Sequence, residues 1–250
     1  MFITALKSAR RALLTAFLAL SPVVADATEG KQQITILYDA FGPQSQLRMD
    51  WGFAAFVEYA GKRILFDTGN NARIFEHNVK QLNIDLSRLD AVVISHRHGD
   101  HTSGLKYLLE VNPTVKIYTP VEPAYFNGPT PLAFLQRTSG LPAQMSYYRG
   151  GQPDAFVTGS PWPEANFQII SRTTEIFPGF FLLSTQSDKP GTREMFELSL
   201  AIRTPEGLAV VVGCSHPGIE KILETASEID SRFFTVAGGF HLVVTPPQEV

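Results

Sequence analysis

The chain of 250 residues holds a single cysteine, Cys214. That excludes an intramolecular disulfide framework. No cysteine stands near the N-terminus, so a bacterial lipid anchor is not expected. No basic excess exists either: 21 Lys and Arg face 24 Asp and Glu, for a formal charge of −3, which gives a nucleic-acid partner no electrostatic support. Solenoid-length repeats and low-complexity tracts are missing, and no serine or cysteine stands in a pattern that pairs it with a catalytic base. What remains is a chain with 44% apolar residues, long enough for one large domain with its own core.

The N-terminus has its own character. Lys7, Arg10 and Arg11 precede the apolar run from Ala12 to Ala19, and Ala25-Asp26-Ala27 supplies a small-x-small cleavage site. This pattern predicts a secretory signal peptide over residues 1–27. The alternative is a membrane anchor, but the run is broken at Ser21-Pro22 and falls short of the roughly 20 residues that a span needs. Arg10-Arg11 also fits, loosely, a twin-arginine export route. The expected mature domain is therefore residues 28–250, exported and periplasmic, without a stable membrane anchor. Loss of Lys7, Arg10, Arg11 and Asp26 with the leader takes the formal charge from −3 to −5.

The densest chemistry is His96-Arg97-His98-Gly99-Asp100-His101, directly after the apolar run Ala91 to Ser95. Neutral imidazoles and an ionised carboxylate this close together suit a tightly bound metal. The apolar run predicts a buried strand, so the ligands sit at a strand's carboxyl end, where open α/β sheets place their sites. Upstream, the hairpin Phe53–Tyr59 and Arg63–Phe66 ends in Asp67-Thr68-Gly69-Asn70. Asp67 either caps the helix expected over Asn71–Leu82 or accepts the second ring N–H of a ligand histidine from behind the metal loop; the downstream motif favours the second role.

Further strands are expected at Ile34–Tyr38, Val115–Tyr118, Phe180–Leu183 and Phe233–Ala237, a helical turn at Asp85–Leu89, and helices at Ser103–Glu110 and Ile219–Glu228. Residues 120–166, rich in proline, glycine and aromatics, read as a long insertion that walls or covers the site. Leu198–Ile202 and Leu208–Val212, joined by Thr204-Pro205-Glu206-Gly207, form a second hairpin. It leads to Gly213-Cys214-Ser215-His216-Pro217-Gly218, and the last strand leads to Gly238-Gly239-Phe240-His241-Leu242. Five of the six histidines thus follow strands. The sixth, His77, lies inside a helix and is expected at the surface.

His96-x-His98-x-Asp100-His101 after a strand, with Phe66-Asp67-Thr68-Gly69 upstream, resembles the metallo-β-lactamase fold superfamily. The two glycine-rich histidine segments are similar to its branch of 7,8-dihydropterin-6-yl-methyl-4-(ribofuranosyl)aminobenzene phosphate synthase-type proteins. The resemblance implies an α/β fold, an αββα sandwich of two mixed sheets with metals at one edge, and one or two divalent ions, zinc first, with iron or manganese also used. By the same carry-over His96 and His98 serve one ion, and Asp100 and His101 a second. Where many members carry a bridging Gly-Asp, this chain has Gly213-Cys214. Cys214 is then a thiolate ligand or, the favoured reading, a small buried supporting residue with His216 as the fifth ligand. The family normally continues past Gly-Gly-Phe-His-Leu to another histidine, whereas this sequence stops at Val250, so a ligand is absent or the sequence is truncated. His241 is read as a ligand or as an acid/base residue.

The implied activity is hydrolysis of an ester, lactone, phosphoester or related bond in a small molecule, with Asp100 orienting the nucleophile and His241 at the leaving group. Two alternatives stand beside it: a mononuclear iron oxygenase or redox enzyme on the same fold, and a non-catalytic metal- or ligand-binding module.

Overall fold

The computed structural model describes residues 31–42, 45–121, 162–189, 192 and 195–241. The expected leader at 1–27, most of the expected insertion at 120–166 and the last nine residues lie outside the described residues.

Eleven strands form two sheets among the described residues. The first runs β1 (Gln33–Tyr38), β2 (Ala54–Tyr59), β3 (Lys62–Phe66), β4 (Ala91–Val93), β5 (Ile117–Pro120) and β6 (Phe167–Ile170), in that order. β1, β2 and β3 are antiparallel; β3, β4, β5 and β6 are parallel. The second has the order β11 (Phe233–Gly238), β10 (Gly207–Val212), β9 (Phe196–Thr204), β8 (Phe180–Gln186) and β7 (Thr174–Phe177), antiparallel except for the β10–β11 pair. Helices α1 (Ala72–Gln81), α2 (Gly99–Thr102) and α3 (Leu105–Val111) follow strands of the first sheet, and α4 (Ile219–Ser227) connects β10 to β11.

Alternation along the strands builds three apolar layers. Leu65, Val92 and Ile117 face Phe75, Val79, Leu105 and Leu108 of α1 and α3. On the opposite face Ile64, Phe66 and Val93 meet Phe180, Leu182, Leu198 and Leu200 of the second sheet. Val210 and Val212 meet Ile222 and Ala226 of α4. Helix, sheet, sheet, helix is the expected αββα sandwich. No helix among the described residues is long and apolar enough to cross a membrane.

Four local features differ from the sequence reading or settle it. The 96–101 segment is not all loop, because Gly99–Thr102 form one helical turn that carries Asp100 and His101. The strand expected at Val115–Tyr118 pairs two residues later, at Ile117–Pro120. β7, whose short mixed run Thr174–Phe177 carries little periodic signal, completes a hairpin with β8. Asn71, not Asp67, caps α1, accepting from the Arg73 and Ile74 backbone N–H groups.

Candidate metal centre

The two sheets deliver their parallel strand pairs to one edge of the sandwich. Asp67 follows β3, His96 follows β4, Cys214 and His216 follow β10, and His241 follows β11. Their edges are tied together where the Leu198 N–H donates to the Ser95 carbonyl at 2.8 Å.

Asp67 is fully buried at φ +57°, and one oxygen accepts the Ser95 N–H at 2.7 Å. The other accepts from the Ser95 hydroxyl at 2.6 Å and from His101 Nδ1 at 2.7 Å. Since the hydroxyl proton goes to the carboxylate, the contact of 2.8 Å between Ser95 Oγ and His96 Nδ1 needs the imidazole N–H as donor. Both histidines then carry a proton on Nδ1, which turns Nε2 toward the other donor atoms. Asp67 thus orients His101 directly and His96 through Ser95.

Two groups of donor atoms result. His98 Nδ1 lies 3.1 Å from His96 Nε2 and 3.1 Å from His216 Nε2. His96, His101 and Cys214 form the second group, with His101 Nε2 3.0 Å from Cys214 Sγ and 3.6 Å from Asp100 Oδ2. The His241 ring, at a backbone φ of +53°, stands 4.8 Å from the His216 ring. The geometry corrects one expectation: Cys214 Sγ points among the donor atoms and does not sit behind them. His77 lies outside the cluster, with Nε2 3.2 Å from the Gln46 carbonyl.

The electrostatics suit neutral donors. Burial, reinforced by neighbouring imidazoles, pushes the His96 and His216 pKa values well below the ordinary histidine range. Burial also brings His98 down to about 4 and lowers His241. At His101 burial opposes the charged form, but Cys214, Asp100 and Asp67 outweigh it and raise the pKa. Burial lifts the Cys214 thiol to about 11, so a metal held there has to displace its proton. Imidazole nitrogens facing one another, with a thiol and a buried carboxylate alongside, match the donor chemistry of a borderline divalent ion.

Two supporting residues, Ser95 in its orienting role and Glu197, escape the sequence reading. Glu197 on β9 is fully buried and accepts the Ser215 and His216 backbone N–H groups, one on each oxygen, both at 2.8 Å. Burial raises its pKa to about 7 against the lowering effect of those two N–H donors. It clamps the loop that presents Cys214 and His216, where Ser215 adopts φ +59°. Gly213 at the base of that loop lacks room for a side chain, because a Cβ there would overlap Ser95 and lie 3.0 Å from Glu197 Oε1.

Residues 35–193 match the Metallo-beta-lactamase superfamily. A 7,8-dihydropterin-6-methyl-4-(beta-D-ribofuranosyl)-aminobenzene-5'-phosphate synthase of Methanocaldococcus jannaschii is 29% identical over 84% of this chain and 76% of its own. A solved metal-dependent hydrolase of the beta-lactamase superfamily superposes with a TM-score of 0.61 at 28% identity, covering 86% of this chain and 79% of the other. A hydroxyacylglutathione hydrolase of Francisella philomiragia is 45% identical over a short stretch, 19% of this chain and 18% of its own.

Proposed function

The chain belongs to the metallo-β-lactamase superfamily, and on that premise we propose that it is an exported metal-dependent hydrolase of a small molecule. The observation that carries the reading is the convergence of His96, His98 and His216 ring nitrogens, at 3.1 Å steps, from loops of both sheets. These three residues would hold one divalent ion, and Asp100 and His101, with Cys214 beside them, a second. Zinc suits this mixed imidazole, carboxylate and thiol set, with iron or manganese as other occupants.

When bound, such an ion supplies hydroxide at neutral pH and polarises the bond under attack. The chain's own residues supply placement. Asp100, 3% exposed, accepts a hydrogen bond from the attacking water and fixes its direction. His241, kept neutral by burial, donates its ring N–H to the departing oxygen. Asp67, Ser95 and Glu197 hold the ligand rings and loops so that little reorganisation is left for the reaction.

The synthase relative is named for a pterin phosphate reaction. The leader expected at the N-terminus points to export, away from cytosolic cofactor synthesis, so the proposal takes over the fold and metal chemistry and not that named reaction. The bond cleaved is an ester, a lactone, a phosphoester or a close relative.

The test uses the mature protein with a panel of esters, lactones and phosphoesters, alongside metal quantification. His98→Ala is expected to lose metal and activity together, and His77→Ala to keep both. One iron per chain with oxygen uptake would replace this reading with an oxygenase. Metal binding without turnover of any member of the panel would leave a binding module.

A further inference from the structure

Beside the donor cluster lies a cleft of ≈ 270 Å³ lined by Ala40, Phe41, Trp51, Phe53 and Phe240, with glycine backbone between them. It is continuous with the cluster, for Asp100, His101, Cys214 and His241 also border it. We propose that this cleft is a subsite for an uncharged, flat apolar group of the substrate, an aryl ring next to the bond that is cleaved. The inference rests on the hydrolase reading and gives it a substrate class.

Three features support it. A closed cavity of about 150 Å³ is enough for a benzene ring, so ≈ 270 Å³ has room for two fused rings. Aromatic walls attract such a group by burial and by edge or face contact. Charge points the same way. The described lining holds neither lysine nor arginine, so a charged group on the aromatic walls finds no cationic side chain to pair with it.

The walls are also held in place. Asp39 accepts the Phe41 N–H at 3.1 Å, and the Asp50 N–H donates to the Asp39 carbonyl at 3.3 Å. Asn78 of α1 holds both the N–H and the carbonyl of Arg48 at 2.8 and 2.9 Å. The Phe53 N–H reaches the Asp100 carbonyl at 3.2 Å, fixing the aromatic loop against the helical turn that carries Asp100 and His101.

The experiment compares two neutral ligands of the metal-loaded protein by calorimetry, 2-naphthalenemethanol and 1,2-ethanediol, and also follows kcat/KM for 4-nitrophenyl acetate and 4-nitrophenyl phenylacetate. Expected are binding of the aromatic alcohol at least about tenfold tighter than the diol, and a higher kcat/KM for the phenylacetate. Trp51→Ala should weaken the alcohol by about tenfold, while Trp51→Phe stays within about threefold. Phe41→Ser, at an exposed position that leaves the core intact, should lower the ratio of phenylacetate to acetate kcat/KM. Equal or tighter diol binding, or full alcohol affinity in both Trp51→Ala and Phe41→Ser, overturns the subsite. Ligand binding as expected with no member of the ester, lactone and phosphoester panel turned over upholds the subsite and defeats the hydrolase reading; equal turnover of both esters without alcohol binding does the reverse.

Discussion

At the scale of single residues, the centre depends on two buried carboxylates that touch no substrate. Asp67 holds Ser95 and His101 from the first sheet, and Glu197 holds the 215–216 backbone from the second. Asp67→Asn keeps a residue that tolerates positive φ and removes one acceptor oxygen. Metal affinity should fall about 10- to 100-fold, measured by competition with a chromophoric chelator, with the thermal transition still cooperative. Glu197→Gln leaves one acceptor and turns an amide donor toward the other backbone N–H. A loss of about 1–3 kcal/mol in stability is expected, together with a weakened thiolate charge-transfer band in the cobalt-substituted protein, since the loop that presents Cys214 is no longer held. An unchanged band in a destabilised variant would reduce Glu197 to a packing role.

Asp67 shows how far residue-level reading reaches. Its two readings, helix cap and histidine support, differ only in who else can cap α1, and Asn71 does so. Glu197 was not legible, because Phe196-Glu197-Leu198 reads as ordinary alternation with the glutamate toward solvent. β9 is in fact a central strand with layers on both faces, Leu198 and Leu200 on one and Ala201 on the other, and a strand's own pattern does not say what covers its second face.

Among the elements, the strand-to-loop junctions were readable and the helical turn was not. Four residues, Gly99–Thr102, are too few to show a 3.6-residue period, so the turn that raises Asp100 and His101 into the cluster looks like loop in sequence. Its contact with the 50–53 loop depends on Gly52, at φ +125°, where a Cβ would overlap the Asp100 carbonyl. Gly52→Ala therefore carries both a backbone cost of about 1–3 kcal/mol and a displacement of Asp100. Urea unfolding should show the first, and a fall in metal affinity larger than the stability loss explains should show the second. Retention of full affinity would mean that the α2 turn holds itself.

For the whole molecule, donors from two sheets meet at one edge, so a bound ion acts as a cross-link between layers. Chelation should lower the thermal midpoint, and readdition of metal should restore it in proportion to the ratio of free metal to Kd. Acid acts on the metal-free protein in the same region. Burial keeps His98 unprotonated in the folded chain down to about pH 4, and holds His96 and His216 low as well, whereas unfolded histidines take a proton near pH 6.5. Between about pH 6.5 and about pH 4 the unfolded chain binds more protons, so stability is fully present above that window and is lost as pH falls through it. Glu197, raised to about 7, acts in the opposite direction within that window, and His101, raised above the ordinary range, acts in the opposite direction above it; four lowered histidines, His241 included, stand against them. Urea midpoints of chelated protein should therefore decrease from about pH 6.5 to about pH 4.5; an increase would mean that the histidines are not buried neutral together.

The central claim is that one ion is held jointly by both sheets, and His216 is the second sheet's part in the three-histidine set. Metal-to-protein stoichiometry of the loaded mature chain and of His216→Ala, after gel filtration, tests it most directly. The account predicts retained divalent metal in the parent and a clear loss in the variant. A parent chain that retains no metal, or a variant that keeps its full complement, would contradict it.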